Sequence, residues 1–563
     1  MAEGGCELVV TEIIASLRSR FNESVLDVAE PVPNQIYVTL PKEATRPAVE
    51  HLLKEFGTRF LITVATDKLQ QSGGFEVLHI FAHDQSKLFL SLRTKVNSDK
   101  PSLDALTPVI PGAGWAEREY RDVMGIEPVG HPDPRRLVLP DDWPEGVYPL
   151  RKDFPADYKP PSVERDRALL APPPGASVMP IGPFFPVLEE PAYFRVFVEG
   201  ETIVGCDYRG FYSHRGIEKL GDQVLNYNEI PFIAQRICGI CGMIHSTCYV
   251  EAVERAAGIQ APPRALFIRS LLLELERIHS HLLWLGIAAH IIGFDTVLMQ
   301  SWRIREPVMW LCEQITGNRK TYDLNLIGGV RRDVPKDIHQ KILDVVGTIA
   351  RQSKELVDTI PGDGSLMPRV KGVGILTNEV AKQFCVVGPT ARASGVDIDA
   401  RRDHPYSAYD QIELMVPTYP QGDVLARVLV RMDELFESIR LVRRLLKKMP
   451  EGPIMTTVTE EIPAGREGMC TVEAPRGEAI HYVLTGESNR PERWRVRAPT
   501  YPNLQAIPAM IQGVEIADVP ITIGSIDPCF SCTERVEVIQ ARSGETRIYT
   551  QEELLQISRD KRR

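Results

Sequence analysis

The first stretch of the chain shows helical periodicity and then turns to alternation. Residues 8–21 (LVVTEIIASLRSRF) place apolar side chains three and four apart, which predicts a helix. Four later segments alternate or run apolar over strand lengths: QIYVTL, FLITVATD, FEVLHIFAH and LFLSLRTKV. A helical pattern, RPAVEHLLKEFG, separates the first two of these. Residues 1–155 therefore read as a small α+β domain. Its tail, WAEREYRDVMGIEPVGHPDPRRLVLPDDWPEGVYPLRKDF, begins with a charged helical face (Glu117, Arg118, Glu119, Arg121, Asp122) and becomes Pro-rich. It holds no nucleophile, base or ligand set, so it reads as an interaction surface, with His131 structural.

Two clusters of proline in 156–180 predict an extended linker. A larger domain over 181–535 opens with strand patterns, AYFRVFVEG and ETIVGCDYRG, and continues with long helices over 264–293 and 422–449. Short strands and turns are expected before its end. The fold class is α+β, with the large domain mainly helical and its β elements short and near both ends. The most apolar run, Leu271 to Met299, is broken by Glu274, Glu276, Arg277 and several histidines, so it reads as a buried helix and not a membrane span. His279, His281 and His290 on this stretch read as core residues.

Composition narrows the class. The 563 residues are 43% hydrophobic and 25% charged, as in ordinary soluble proteins, and the net charge of −10 argues against a nucleic-acid surface. The opening MAEGGCELVV lacks a signal peptide, so any membrane attachment is expected through partners.

The candidate chemistry lies in cysteine. Cys238 and Cys241 (RICGICGMIH) and Cys529 and Cys532 (DPCFSC) form two Cys-x-x-Cys pairs nearly 300 residues apart. Four thiolates suit a structural zinc ion or a softer redox metal, and spacing alone does not separate the two. The other six cysteines (6, 206, 248, 312, 385, 470) show no iron–sulfur spacing and read as small buried hydrophobes in a reducing compartment.

The residues around the pairs carry more information. IGPFFPVLEEP, YRGFYSHRGIEKL, RICGICGMIHS, GPTARASGVDIDARRDHPYSAYD, EAPRGEAIHYVL and DPCFSC resemble the large subunits of energy-converting, membrane-complex nickel–iron hydrogenases and their relative, the 49-kDa-type subunit of complex I. The tail of the first domain resembles the 30-kDa-type subunit. That fusion is similar to the formate hydrogenlyase type. The complex I relative lacks the Cys pairs, so their presence here implies hydrogenase chemistry. A quinone-linked complex I-like subunit and a zinc-stapled assembly module are the alternatives.

The resemblance implies a nickel–iron centre with carbon monoxide and cyanide on iron, Cys238 and Cys529 terminal on nickel, and Cys241 and Cys532 bridging. It implies that Glu190 in LEEP relays the proton, with Glu189 its rival, and that Arg476 stands over the metals. Pro499 and Thr500 would line the cyanide pocket, and His245 would bond a Cys sulfur. His214 is either structural or on a proton route. Glu218 would bind magnesium, although Arg535 stands where such relatives have His. Residues 536–563, with a capping-box pattern at Thr550 and Glu553, would be a tail cut after Arg535 by a maturation endopeptidase. With no iron–sulfur cluster in this chain, electrons would pass to an iron–sulfur small subunit. Further iron–sulfur and membrane subunits would place the enzyme on the cytoplasmic side of the membrane.

Overall fold

The computed structural model describes residues 3–163, 168–182, 191–212, 214–359, 364, 366–458, 461–530, 537–539 and 546–548. Glu189, Glu190, Cys532, Arg535 and the capping-box segment at Thr550 and Glu553 lie outside the described residues.

The N-terminal domain is built on a five-stranded sheet of β1 (Asp27–Val32), β2 (Gln35–Leu40), β3 (Arg59–Lys68), β4 (Gly74–His83) and β5 (Leu88–Asn97). Their order is β1-β2-β5-β4-β3, with β2 parallel to β5 and the other neighbours antiparallel. The expected strands form as read; β1 was not expected, and its Pro31 sits on an edge strand, where a missing N–H costs least. Alternation sends the two faces of the sheet into different cores. Ile36, Val38, Leu40, Leu90 and Leu92 pack under helices Glu3–Phe21 and Lys42–Phe56. Tyr37, Ile62, Val64, Leu78 and Ile80 pack on Met469, Ile480, Tyr482 and Leu484 of the large domain.

The edge strand β3 is closed in an unusual way. The Nε groups of Arg493, Arg495 and Arg497 donate to the carbonyls of Ala65, Thr63 and Leu61 at 2.9, 3.3 and 3.2 Å. Alternate residues on strand Pro491–Arg497 thus meet alternate residues on β3, and guanidinium groups stand where a sixth strand would pair.

The charged helix, Gly114–Met124, faces inward, contrary to the expected interaction surface. Glu117 accepts from the backbone N of Leu106 and Thr107, and Asp122 Oδ2 accepts from the N–H of Leu137 and Val138 at 2.8 and 2.9 Å. Glu119 receives Arg495 and the Tyr501 hydroxyl. These carboxylates satisfy backbone donors of Leu106, Thr107 and the Pro-rich loop and side-chain donors of the other domain, which is why a charged helix can be buried.

The large domain centres on helix Pro263–Ile291, buried nearly all round, against helices Asp295–Thr316 and Val424–Lys448. Ser177–Ile181, at the end of the Pro-rich segment, is a strand paired with Tyr193–Glu199. A second sheet, Glu467–Ala474, Gly477–Thr485 and Pro491–Arg497, follows. This sheet provides the short strands expected before the second cysteine pair; between it and Cys529 the chain also forms three short α-helices, Thr500–Gln505, Ile507–Ile511 and Val519–Gly524, which were not expected. Prolines that read as turn signals occupy the first turns of the last two, where a missing N–H is harmless. Among the described residues no helix is long and apolar enough to cross a membrane.

Candidate metal centre

Both cysteine loops are fixed by helix ends. Cys241 immediately precedes helix Gly242–Ala257, and Cys238 Sγ accepts from the N–H of Ile240 and Cys241 at 3.4 and 3.5 Å. Donors at a helix N-terminus favour the thiolate form. Glu276, on the central helix, holds the same end by accepting from Met243 N at 2.9 Å, Ile244 N at 3.2 Å and the Thr321 hydroxyl at 2.9 Å. Burial pushes the Glu276 carboxyl up to about 8 against those donors. The second loop leaves helix Val519–Gly524 through Asp527, whose φ is +56°, and the Cys529 N–H donates to Thr500 Oγ1 at 3.3 Å.

The fold brings the distant pairs together. Cys238 Sγ lies 3.2 Å from Cys529 Sγ, both as free thiols in the interior. Hydrogen bonds from the Cys241 and Cys529 thiols draw the Cys238 thiol well below its ordinary range, with the Arg476 charge adding to them. Among the described residues no group of three or more His, Cys, Asp or Glu side chains is set to hold a metal ion. The fourth thiol of the proposed set, Cys532, lies outside them.

Arg476 sits in the two-residue tip between strands Glu467–Ala474 and Gly477–Thr485. The tip packs directly on backbone: a Cβ on Gly477, whose φ is +126°, would stand 2.7 Å from Gly388 N. The guanidinium donates from Nε to the Asp527 carbonyl at 2.7 Å and from Nη2 to Asp527 Oδ1 at 2.8 Å. Burial opposes its charge, but Asp527 and the thiols of Cys529, Cys238 and Cys241 hold it protonated.

Of the buried polar atoms without a hydrogen-bond partner among the described residues, three belong to this site: Arg476 Nη1, His245 Nε2 and Asp527 Oδ2. Buried polar groups are nearly always paired. Orphaned donors beside soft thiols fit a metal group that brings hydrogen-bond acceptors of its own. A closed four-cysteine zinc site would have no use for them.

Other expected residues fall differently. Glu218 accepts from Arg493 Nη2 at 2.7 Å, Arg495 Nη1 at 3.0 Å and Val496 N at 3.1 Å. Burial alone would raise its pKa, yet the two guanidinium charges hold it at about 2. Two fixed cations thus occupy the surroundings expected for magnesium. His214, Glu218 and Cys529 share a cavity of about 90 Å³ with Trp115 and Glu119 of the N-terminal domain. Pro499 opens the short helix that carries Thr500. His245 Nδ1 meets His481 Nε2 at 3.1 Å, which leaves its Nε2, without a partner among the described residues, as the atom for the expected bond to a Cys sulfur. His281 pairs with Glu434 at 2.9 Å in the core, as expected for a core histidine, whereas His290 is exposed beside Asp295. Sequence reading gave no role to Asp527, Glu276 or His481. Asp527 stood in view beside its cysteine, but nothing local marks a partner 51 residues away.

Comparison with known proteins bears on this site directly. A model described as nickel-dependent hydrogenase matches residues 215–297, the segment with the first cysteine pair. The respiratory-chain NADH dehydrogenase 49 Kd subunit matches 292–469 and 456–535, and the 30 Kd subunit matches 38–160. Formate hydrogenlyase subunit 5 of Escherichia coli (strain K12) is 41% identical over 96% of both chains. The chain belongs to the nickel-dependent hydrogenase family. Hydrogenase-4 component G of the same organism is 39% identical over 98% of this chain and 97% of its own. Within this family the fusion of 30 Kd and 49 Kd modules accounts for the two-domain build. The membrane-bound hydrogenase subunit alpha of Pyrococcus furiosus, 40% identical, matches 68% of this chain and 92% of its own. A solved chain from a membrane-bound sulfane sulfur reductase has a TM-score of 0.61 at 28% identity, covering 64% of this chain and 99% of that one.

Proposed function

We propose that this chain is the catalytic subunit of a membrane-complex nickel–iron hydrogenase that interconverts hydrogen with protons and electrons. Hydrogen evolution coupled to formate oxidation is the context, supported by the near full-length likeness to a formate hydrogenlyase subunit. The observation that carries the reading is the meeting of Cys238 and Cys529, 3.2 Å apart, with Arg476 Nη1 and His245 Nε2 nearby and without partners among the described residues. Zinc explains the thiols but not the orphaned donors, and a quinone-linked subunit needs neither.

In this reading Cys238, Cys241, Cys529 and Cys532 would hold the nickel–iron group through their thiolates. The group would carry carbon monoxide and cyanide on iron, and Arg476 Nη1 would donate to one of these ligands. A centre bound there supplies the heterolytic cleavage of hydrogen. Asp527 keeps the Arg476 fork in place, Thr500 fixes the Cys529 loop, and Glu190 takes the proton towards solvent. Magnesium at Glu218 is not part of the reading. Electrons leave through an iron–sulfur small subunit, and the complex lies on the cytoplasmic side of the membrane through other subunits. Maturation proteins build the centre, and an endopeptidase removes residues 536–563.

Metal analysis with infrared spectroscopy of the purified complex tests this. About one nickel per chain is expected from the four-thiolate ligand count, with bands in the carbon monoxide and cyanide region. Cys529→Ser should abolish both. Stoichiometric zinc without nickel in active protein would sink the reading. Intact mass checks the processing: the active chain should end at Arg535, and full activity with Arg563 still present refutes it.

A further inference from the structure

Behind His245 lies a hydrogen-bond chain that the reaction as described does not use. Trp494 Nε1 donates to His481 Nδ1 at 3.2 Å, and His481 Nε2 meets His245 Nδ1 at 3.1 Å. All three side chains are buried. The indole N–H can only donate, so His481 Nδ1 must offer a lone pair. His481 is then neutral with its proton on Nε2, and that N–H donates to His245 Nδ1. His245 in turn can carry its proton only on Nε2, the buried atom without a partner among the described residues. His245 stands one helical turn past Cys241 on helix Gly242–Ala257, and burial lowers its pKa to about 4 against the opposing Cys238 charge.

We propose that Trp494 and His481 are positioning residues that fix the tautomer of His245, holding its Nε2–H as a permanent donor to a thiolate sulfur of the metal centre. Each group in the row has one allowed role, set by the indole at the far end. Neither Trp494 nor His481 touches the reacting atoms. They act through His245, whose N–H withdraws electron density from the sulfur it meets and so tunes the metals. Without the indole, His481 is free to take either tautomer. In the wrong one it donates back to Trp494's place and leaves His245 free to aim a lone pair at a thiolate.

This inference rests on the nickel–iron reading, and infrared spectroscopy of the hydrogen-reduced complex, with nickel analysis, separates the two. The variants are His481→Met, His481→Gln and Trp494→Phe. Glutamine can accept from Trp494 through Oε1 and donate to His245 through Nε2, so it preserves the row; methionine fills similar space without it. Nickel content should stay near wild type in all three. In His481→Met the carbon monoxide and cyanide bands should move to lower wavenumber, because a sulfur relieved of its hydrogen bond passes more density to the metals. His481→Gln should keep the wild-type positions, and Trp494→Phe should give two sets of bands from two tautomers. Wild-type bands in His481→Met, or an equal shift in His481→Gln, overturns the proposal. If His481→Met fails to load nickel, a single wild-type set in Trp494→Phe overturns it as well. A wild-type complex without nickel and without such bands overturns the underlying reading and this inference together.

Discussion

Arg476 is bound to Asp527 by two bonds and leaves its Nη1 amino group without a partner among the described residues, so its replacements separate structure from catalysis. Arg476→Lys keeps the charge but gives up the fork that spans the Asp527 carbonyl and Oδ1 at 2.7 and 2.8 Å. One charge-assisted hydrogen bond is lost, worth about 1.5–3 kcal/mol, which the fold can bear. The Nη1 donor that the proposed function assigns to the metal group is lost too, and removing a preorganised donor of that kind costs about 10²–10³ in turnover. Nickel content should therefore stay near wild type while hydrogen turnover falls by that factor. Arg476→Met strands a buried carboxylate, a break that costs about 3–5 kcal/mol. Burial has already raised the Asp527 pKa, so the stranded acid will take up a proton. Nickel retention should drop in Arg476→Met and recover in Arg476→Met with Asp527→Asn, which removes the stranded charge, while turnover recovers in neither. The assay is nickel per chain beside hydrogen turnover on the same preparations. Turnover near wild type in Arg476→Lys would refute the donor role. A double variant no better at holding nickel than the single one would refute the pairing argument.

Two further outcomes follow from the same chemistry. Glu190→Gln keeps shape but removes the titrating proton, so hydrogen–deuterium exchange should nearly vanish with nickel retained; exchange at the wild-type rate there, with loss in Glu189→Gln instead, would mean the neighbour carries the proton. Burial raises the Glu117 carboxyl from 4.5 to about 7, so this group costs nothing below about pH 4.5, costs more as pH rises, and exacts its full cost, about 3 kcal/mol, above pH 7. Glu117→Gln should accordingly gain stability over wild type across that window in denaturant titrations, and parallel pH profiles for the two proteins would exclude the effect.

Legibility from sequence followed the range of the forces involved. β2 to β5 and the long helices were legible because alternation and helical spacing are local. The short helices after Arg497 were not, because their prolines look the same at a helix start as in a turn. The charged helix at 114–124 misled for a related reason. Its carboxylates are paired with backbone N–H groups of Leu106 and Leu137 and with Arg495, partners that no local pattern reveals. The approach of Cys238 and Cys529 could be suspected because cysteine pairs are rare and chemically restricted. His481 reads from sequence as one more buried strand residue, and only its bonds to Trp494 and His245 distinguish it.

The guanidinium groups along β3 also set a schedule for synthesis. Leu61, Thr63 and Ala65 leave the ribosome early, whereas Arg493, Arg495 and Arg497 follow more than 400 residues later. At about 5–20 residues per second, that delay is roughly 20–90 s. Throughout it the N-terminal sheet has every strand it will ever have, yet one edge still shows unpaired carbonyls and N–H groups to neighbouring nascent chains. Chains on a single messenger should therefore be most adhesive in mid-synthesis. Ribosome-bound intermediates halted before residue 490 should recruit holding chaperones that those halted beyond 530 release.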